Sequence, residues 1–204
     1  GIDTVIDHAR RLGITSELPP YPSLALGVAD IPLQEMVRPF ITFANNGNLR
    51  PIYYLEEIKD RQGNLIFKAQ PEIPRQVLPE NEAHLMSNML SAVIDEGTGQ
   101  RLRSVYGLHN EMAGKTGTTQ NQVDGWFIGY NQIVVGIRVG ANDVNIHFNT
   151  IRLGQGANMA MPIFGRFMKD CLESPNYQVW NRLSFPFALP SQQKETEIPT
   201  FKEH

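Results

Sequence analysis

Cysteine is almost absent. Cys171 is the one cysteine in 204 residues, which excludes an internal disulfide and any zinc cage built on several thiolates, and leaves the redox compartment open. Long apolar runs are missing too. The most strand-like apolar stretch, Ile133 to Val139, already contains Arg138 and falls far short of the ~20 residues that a bilayer-spanning helix needs. There is no cationic surplus: 18 Lys+Arg stand against 21 Asp+Glu, a formal charge of -3, so nothing favours counterion release from a nucleic-acid backbone, and nucleic acid is not an expected partner. Residues 1–25 lack a basic-then-apolar export signal, and Gly1 fits a piece of a longer polypeptide. What is present, 41% hydrophobic and 19% charged residues, suffices for one globular domain with its own core.

Apolar residues at Ile2, Val5, Ile6, Ala9 and Leu12 form a helical stripe that stops at Gly13. Pro19, Pro20 and Pro22 make Glu17–Gly27 a loop of extended backbone. A second helix starts near Pro32 and runs through Met36, Phe40 and Ala44 to Asn45-Asn46-Gly47, with Asp30 as the one nearby candidate cap. Between Pro51 and Phe67 the apolar residues flank Asp60-Arg61-Gln62-Gly63-Asn64, the composition of a hairpin turn. Residues 79–96 restore the helical period and end at Gly97-Thr98-Gly99. Three strands are then expected at about 111–118, 125–130 and 133–140, the last two joined by Asn131-Gln132 and therefore antiparallel. A final helix is expected over Ala157–Leu172, and residues 185–204 read as a poorly ordered tail after a domain spanning 1–184. This order predicts an α+β fold, an antiparallel sheet covered by helices.

One segment carries chemistry. In Ala113-Gly114-Lys115-Thr116-Gly117-Thr118-Thr119 a lysine sits on a strand among glycines, which pack poorly there but allow something to approach the backbone closely. Beside a cleft, Gly117 lets a substrate lie against the main chain, the Thr118 N–H is free to meet a developing oxyanion, Lys115 sets a positive field, and the Thr116 and Thr118 hydroxyls suit a carboxylate. The competing account is a solvated surface strand, and on these residues alone the two stand level. Asp124 either orients the loop 119–123 or simply forms a turn. His8, His84, His109, His147 and His204 have no partner at metal-ligand spacing.

Lys-Thr-Gly is the third signature of active-site-serine penicillin-recognising enzymes. Together with Asp124-Gly125-Trp126-Phe127-Ile128-Gly129-Tyr130, the segment closely resembles the transpeptidase domain of class A, bifunctional penicillin-binding proteins. The resemblance extends to Pro22-Ser23-Leu24-Ala25-Leu26-Gly27, Thr42-Phe43-Ala44-Asn45-Asn46-Gly47, Gly97-Thr98-Gly99, Gly154-Gln155-Gly156-Ala157-Asn158 and Pro162-Ile163-Phe164, covering about residues 10–170. It implies a peptidoglycan DD-transpeptidase that acts through a serine acyl-enzyme on stem peptides and binds penicillin. No metal or cofactor is implied. Lys115 and Thr118 become catalytic, and Thr116, Gly117 and Thr118 bind substrate. An upstream glycosyltransferase domain, a membrane anchor and work on the outer face of the cytoplasmic membrane are implied as well.

The resemblance is incomplete in one respect. The family's Ser-x-x-Lys nucleophile and Ser-x-Asn element precede Lys-Thr-Gly, and residues 1–114 hold neither. Ser191-Gln192-Gln193-Lys194 and Ser174-Pro175-Asn176 fall on the wrong side of Lys115 and read as chance matches. The chain is therefore expected to carry one wall of the site without its serine and to be inactive alone. Two rivals remain: a serine β-lactamase-like hydrolase and a non-catalytic peptidoglycan-binding module. The family also implies a flanking hairpin beside the strand Ile133–Gly140, so residues 133–139 are expected to leave an open edge through which two copies pair, or which a separate fragment supplying the lost strands covers.

Overall fold

The computed structural model describes residues 1–70, 73–143 and 145–185. In chain order the elements are α1 (Ile2–Arg11), a 3-10 turn (Pro22–Leu26), α2 (Leu33–Ala44), β1 (Asn48–Leu49), β2 (Glu57–Lys59), β3 (Leu65–Lys68), β4 (Arg75–Gln76), α3 (Glu80–Asp95) and α4 (Arg101–Ser104). They continue with β5 (Ala113–Thr118), β6 (Asp124–Tyr130), β7 (Val134–Gly140), α5 (Ile151–Gly154), α6 (Gly156–Met159), α7 (Met161–Glu173) and a 3-10 turn (Gln178–Arg182). β5, β6 and β7 form an antiparallel sheet in that order, β2 pairs with β3, and β1 pairs with β4. The fold is α+β, as expected.

Strand alternation divides the core into two layers. On one face of the sheet Phe127 is fully buried against Phe164, Met161 and Met168 of α7, with the Phe127 and Phe164 rings 4.8 Å apart. On the other, Tyr130 packs with Phe40 and Phe43 of α2 and Leu90 of α3. Its hydroxyl lies 2.7 Å from Ser87 Oγ, and burial pushes the phenol pKa well up against the opposing effect of that bond. Gly156 allows α6 to lie directly on the ladder: a Cβ there would sit 2.3 Å from the carbonyl oxygens of Gly117 and Trp126.

α2 lacks a side-chain cap, and Asp30 does not supply one. Instead Glu35, in the first turn, reaches back to the segment after α1. Its carboxylate accepts bonds from the Thr15 hydroxyl (2.6 Å) and from the N–H groups of Thr15 (2.8 Å) and Ser16 (2.9 Å). Burial alone would raise the Glu35 pKa, but these donors outweigh it and bring it down to about 2.

Two expectations need correction. The helix expected over Ala157–Leu172 is broken at Ala160, because Pro162 has no N–H to donate to the preceding turn. The loop Glu17–Gly27 is not wholly extended: Pro22 starts a 3-10 turn that ends at Gly27 with φ +80°. The 51–67 excursion is the expected hairpin, with paired strands that are short and exposed on both faces. Of the expected tail, only Phe185 is among the described residues, its ring 5.8 Å from Tyr130. No helix among the described residues is long and apolar enough to cross a membrane.

Candidate active site

β5 is an edge strand, and its register determines which backbone groups face outward. Thr118 pairs with Gly125, and one step further the Thr119 N–H donates to the Asp124 carbonyl at 3.0 Å. In an antiparallel ladder bonded residues alternate, so residues 113, 115 and 117 turn their N–H groups toward β6, while Gly114, Thr116 and Thr118 turn theirs to the open edge. The Asn131 N–H to Ile133 carbonyl bond gives the same phase on β6, whose odd residues bond to β7. The Thr118 N–H thus points off the sheet.

The side chains of β5 separate by face. Lys115 lies on the α2 side with its cross-strand partner Ile128 and donates from Nζ to the Thr116 carbonyl at 2.9 Å. Thr116 and Thr118 lie on the opposite side. The Thr116 hydroxyl is 2.7 Å from the Thr98 hydroxyl, and the Thr118 hydroxyl accepts the Gly156 N–H at 3.1 Å. A hydroxyl that accepts from the protein keeps its own O–H available to donate elsewhere.

A cleft of about 910 Å³ runs along this edge. It is lined by Lys115, Thr116, Gly117, Thr118 and Thr119 on β5 and beyond, by Trp126, Ile128 and Arg138 across the sheet, and by Leu24, Met36 and Phe40 on the helical side. All four residues singled out from the sequence, Lys115, Thr116, Gly117 and Thr118, line this one cavity. The loop after β5 is braced through Thr119, whose hydroxyl accepts the Asp124 N–H at 2.8 Å. The Asp124 carboxylate does not orient that loop; it pairs with Arg138 at 2.6 Å.

Arg138 and the apolar wall of α2 were not legible as site residues, because strand order alone brings them to the cleft. Thr98 stood in a motif already visible in the sequence, with no role attached. Ser174 caps the end of α7 and does not line the cleft, while Ser191 lies outside the described residues. Among the described residues no group of three His, Cys, Asp or Glu side chains is placed to hold a metal ion.

The chain is similar to known proteins. A family model described as the penicillin binding protein transpeptidase domain matches residues 21–168. Penicillin-binding protein 1A of Aquifex aeolicus is 34% identical over 170 residues, covering 83% of this chain and 22% of the relative. Penicillin-binding protein 1B of Escherichia coli is 32% identical over 177 residues, covering 86% and 20%. The chain therefore spans about a fifth of the length of these curated relatives. Among solved structures, penicillin-binding protein 1A from Haemophilus influenzae superposes with a TM-score of 0.77 at 25% identity, over 93% of this chain and 32% of that one. PonA1 from Mycobacterium tuberculosis, at 20% identity and a TM-score of 0.75 over 100% of this chain and 58% of that one, shares the fold. The chain belongs to the penicillin-binding protein transpeptidase family.

Proposed function

We propose that this chain forms the substrate-carboxylate and oxyanion wall of a serine acyl-transfer site in a peptidoglycan DD-transpeptidase. The observation that supports this reading best is the free edge of β5, with the outward Thr118 N–H, the Thr116 and Thr118 hydroxyls and Lys115 on a single cleft. In the reaction, a serine supplied from outside these residues attacks the penultimate D-Ala carbonyl. A C–O bond forms, the peptide C–N bond breaks, and D-Ala departs as an amine carrying the serine's proton. An amine of a neighbouring stem then attacks the ester, forms the cross-link and returns the proton to the serine. The Thr118 N–H stabilises the oxyanion in both steps, and Lys115 supplies positive charge that steadies the proton transfer. A β-lactam enters the same site as the donor peptide, with its carboxylate on Thr116 and Thr118.

The full-length protein on this reading also carries a glycosyltransferase domain and a membrane anchor, and works on the outer face of the cytoplasmic membrane. The outer side of β7 is a second contact surface. Among the described residues β7 ends the sheet, and the uncharged run Ile133–Ile137 suits pairing with a second copy. Val135 packs on the α7 core, so a charge there would damage more than the edge; concentration-dependent sedimentation of the chain tests the pairing, and a strict monomer refutes it.

Labelling with fluorescent penicillin tests the catalytic reading. The full-length protein takes up label on a serine outside residues 1–204, and the 204-residue chain takes up none. A covalent adduct on Ser191, or on any other serine of this chain, overturns the assignment.

A further inference from the structure

The Gly97-Thr98-Gly99 turn has no part in the reaction as derived so far, yet its hydroxyl is bonded to the site strand. α3 ends at Asp95, and the chain folds back at once: the Gly99 N–H donates to the Val93 carbonyl at 2.9 Å. This fold-back needs glycine, since a Cβ on Gly99 would lie 2.8 Å from Ile94 Cδ1 and 3.0 Å from the Val93 oxygen. The outcome is a threonine held at the tip of a tight turn, exposed to solvent, with its Oγ1 2.7 Å from Thr116 Oγ1. An exposed hydroxyl pair adds little to stability, because each partner bonds to water equally well when separated. The direction of the bond does matter for binding.

Resting on the transpeptidase reading, the geometry points to Thr98 as a positioning residue for the substrate carboxylate, acting through Thr116. Either hydroxyl of this pair can donate; with Thr98 as the donor, the Thr116 proton turns outward to the anion. Thr118 is set up in the same way, since its oxygen accepts the Gly156 N–H and its own proton is left to donate. The two threonines of the edge strand thus present donors of equal polarity, one primed by the α3 turn and the other by the start of α6. A carboxylate accepts both as charge-assisted bonds, stronger than those to a neutral carbonyl, so this pair favours an anion over an ester or amide at the same place.

The test uses the full-length protein and two probes, benzylpenicillin and its methyl ester, which lacks the anion. Thr98→Val is expected to slow acylation by benzylpenicillin roughly three- to tenfold, the loss expected for one hydrogen bond, and to leave the ester's rate unchanged. Thr98→Ser keeps the hydroxyl and stays within about twofold of wild type on both probes. In a Thr116→Val background, Thr98→Val has no further effect, because the residue it acts through is gone. The acid-to-ester ratio is the decisive readout, since it is unchanged by any loss of folded protein. An unchanged ratio in Thr98→Val, or full additivity with Thr116→Val, overturns the role of Thr98 while leaving the transpeptidase reading intact. A wild-type protein that neither probe acylates overturns both.

Discussion

The β5–β6–β7 meander and the β2–β3 hairpin are built on the same antiparallel principle and end in opposite circumstances. In the meander Phe127 and Tyr130 are both 0% exposed, each under its own helical layer. In the hairpin Ile58, Leu65, Ile66 and Phe67 are 40%, 53%, 66% and 44% exposed, although their sequence is just as apolar. A strand's apolar residues stabilise only what covers them, and among the described residues no helix covers the hairpin. Its order comes instead from its turn, where the Asp60 carboxylate accepts the N–H groups of Gln62 and Asn64 and the Asn64 side-chain amide. Those donors hold the Asp60 carboxyl below its ordinary pKa.

Removing a ring from each region breaks the comparison most sharply. Phe127→Ala empties the centre of the α7 layer and is expected to cost about 3–5 kcal/mol in chemical denaturation. Next in size is the site itself, which needs both the buried sheet and its open edge. Lys115→Ala in the full-length protein is expected to slow penicillin acylation by about 100- to 1000-fold, or ~2.7–4 kcal/mol, on the scale of a lost transition-state donor. Thr116→Ser, which keeps the hydroxyl, costs less, and equal acylation rates for Lys115→Ala and wild type would return Lys115 to a solvated strand.

Glu35 comes third. Glu35→Gln replaces a buried, charged acceptor and is expected to lose about 2 kcal/mol near neutral pH, within the range for hydrogen bonds to a charged group. Because the folded pKa of about 2 lies below the ordinary 4.5, this stabilisation is complete above about pH 4.5 and is lost as pH falls toward 2. Thermal unfolding of wild type and variant should converge over that interval; a constant gap would show that the charge is not the cause. The smallest effect belongs to the hairpin: Phe67→Ala is expected to change stability by less than about 0.5 kcal/mol. A loss comparable to that of Phe127→Ala would mean that something covers the hairpin.

Local rules made much of this fold readable. The Asn131-Gln132 joint fixed the pairing of β6 and β7, and Gly13 and Asn45-Asn46-Gly47 ended their helices where glycine and asparagine commonly do. Periodicity could not tell that Leu65 and Phe67 stay half exposed, since alternation describes a strand and not its neighbours. The break at Ala160 was open to inference from Pro162 and was masked by the strong apolar stripe around it. In the site, Lys115, Thr116, Gly117 and Thr118 are contiguous and were found together. Arg138 reaches the cleft from 23 residues downstream of Lys115, and Thr98 reaches the site strand from 18 residues upstream of Thr116, distances that only the sheet order and the end of α3 bridge.

The contact at Gly156 also limits how this protein can change over generations. With the carbonyl oxygens of Gly117 and Trp126 2.3 Å from where any Cβ would begin, no substitution at 156 is tolerated without moving α6. The Gly156 N–H that meets Thr118 would move with it. On the transpeptidase reading, escape from an inhibitor held on this edge therefore finds no route through Gly156. It acts on side chains that line the cleft without bearing its backbone, such as Leu24 and Met36, where a residue can be exchanged while the fold stays in place.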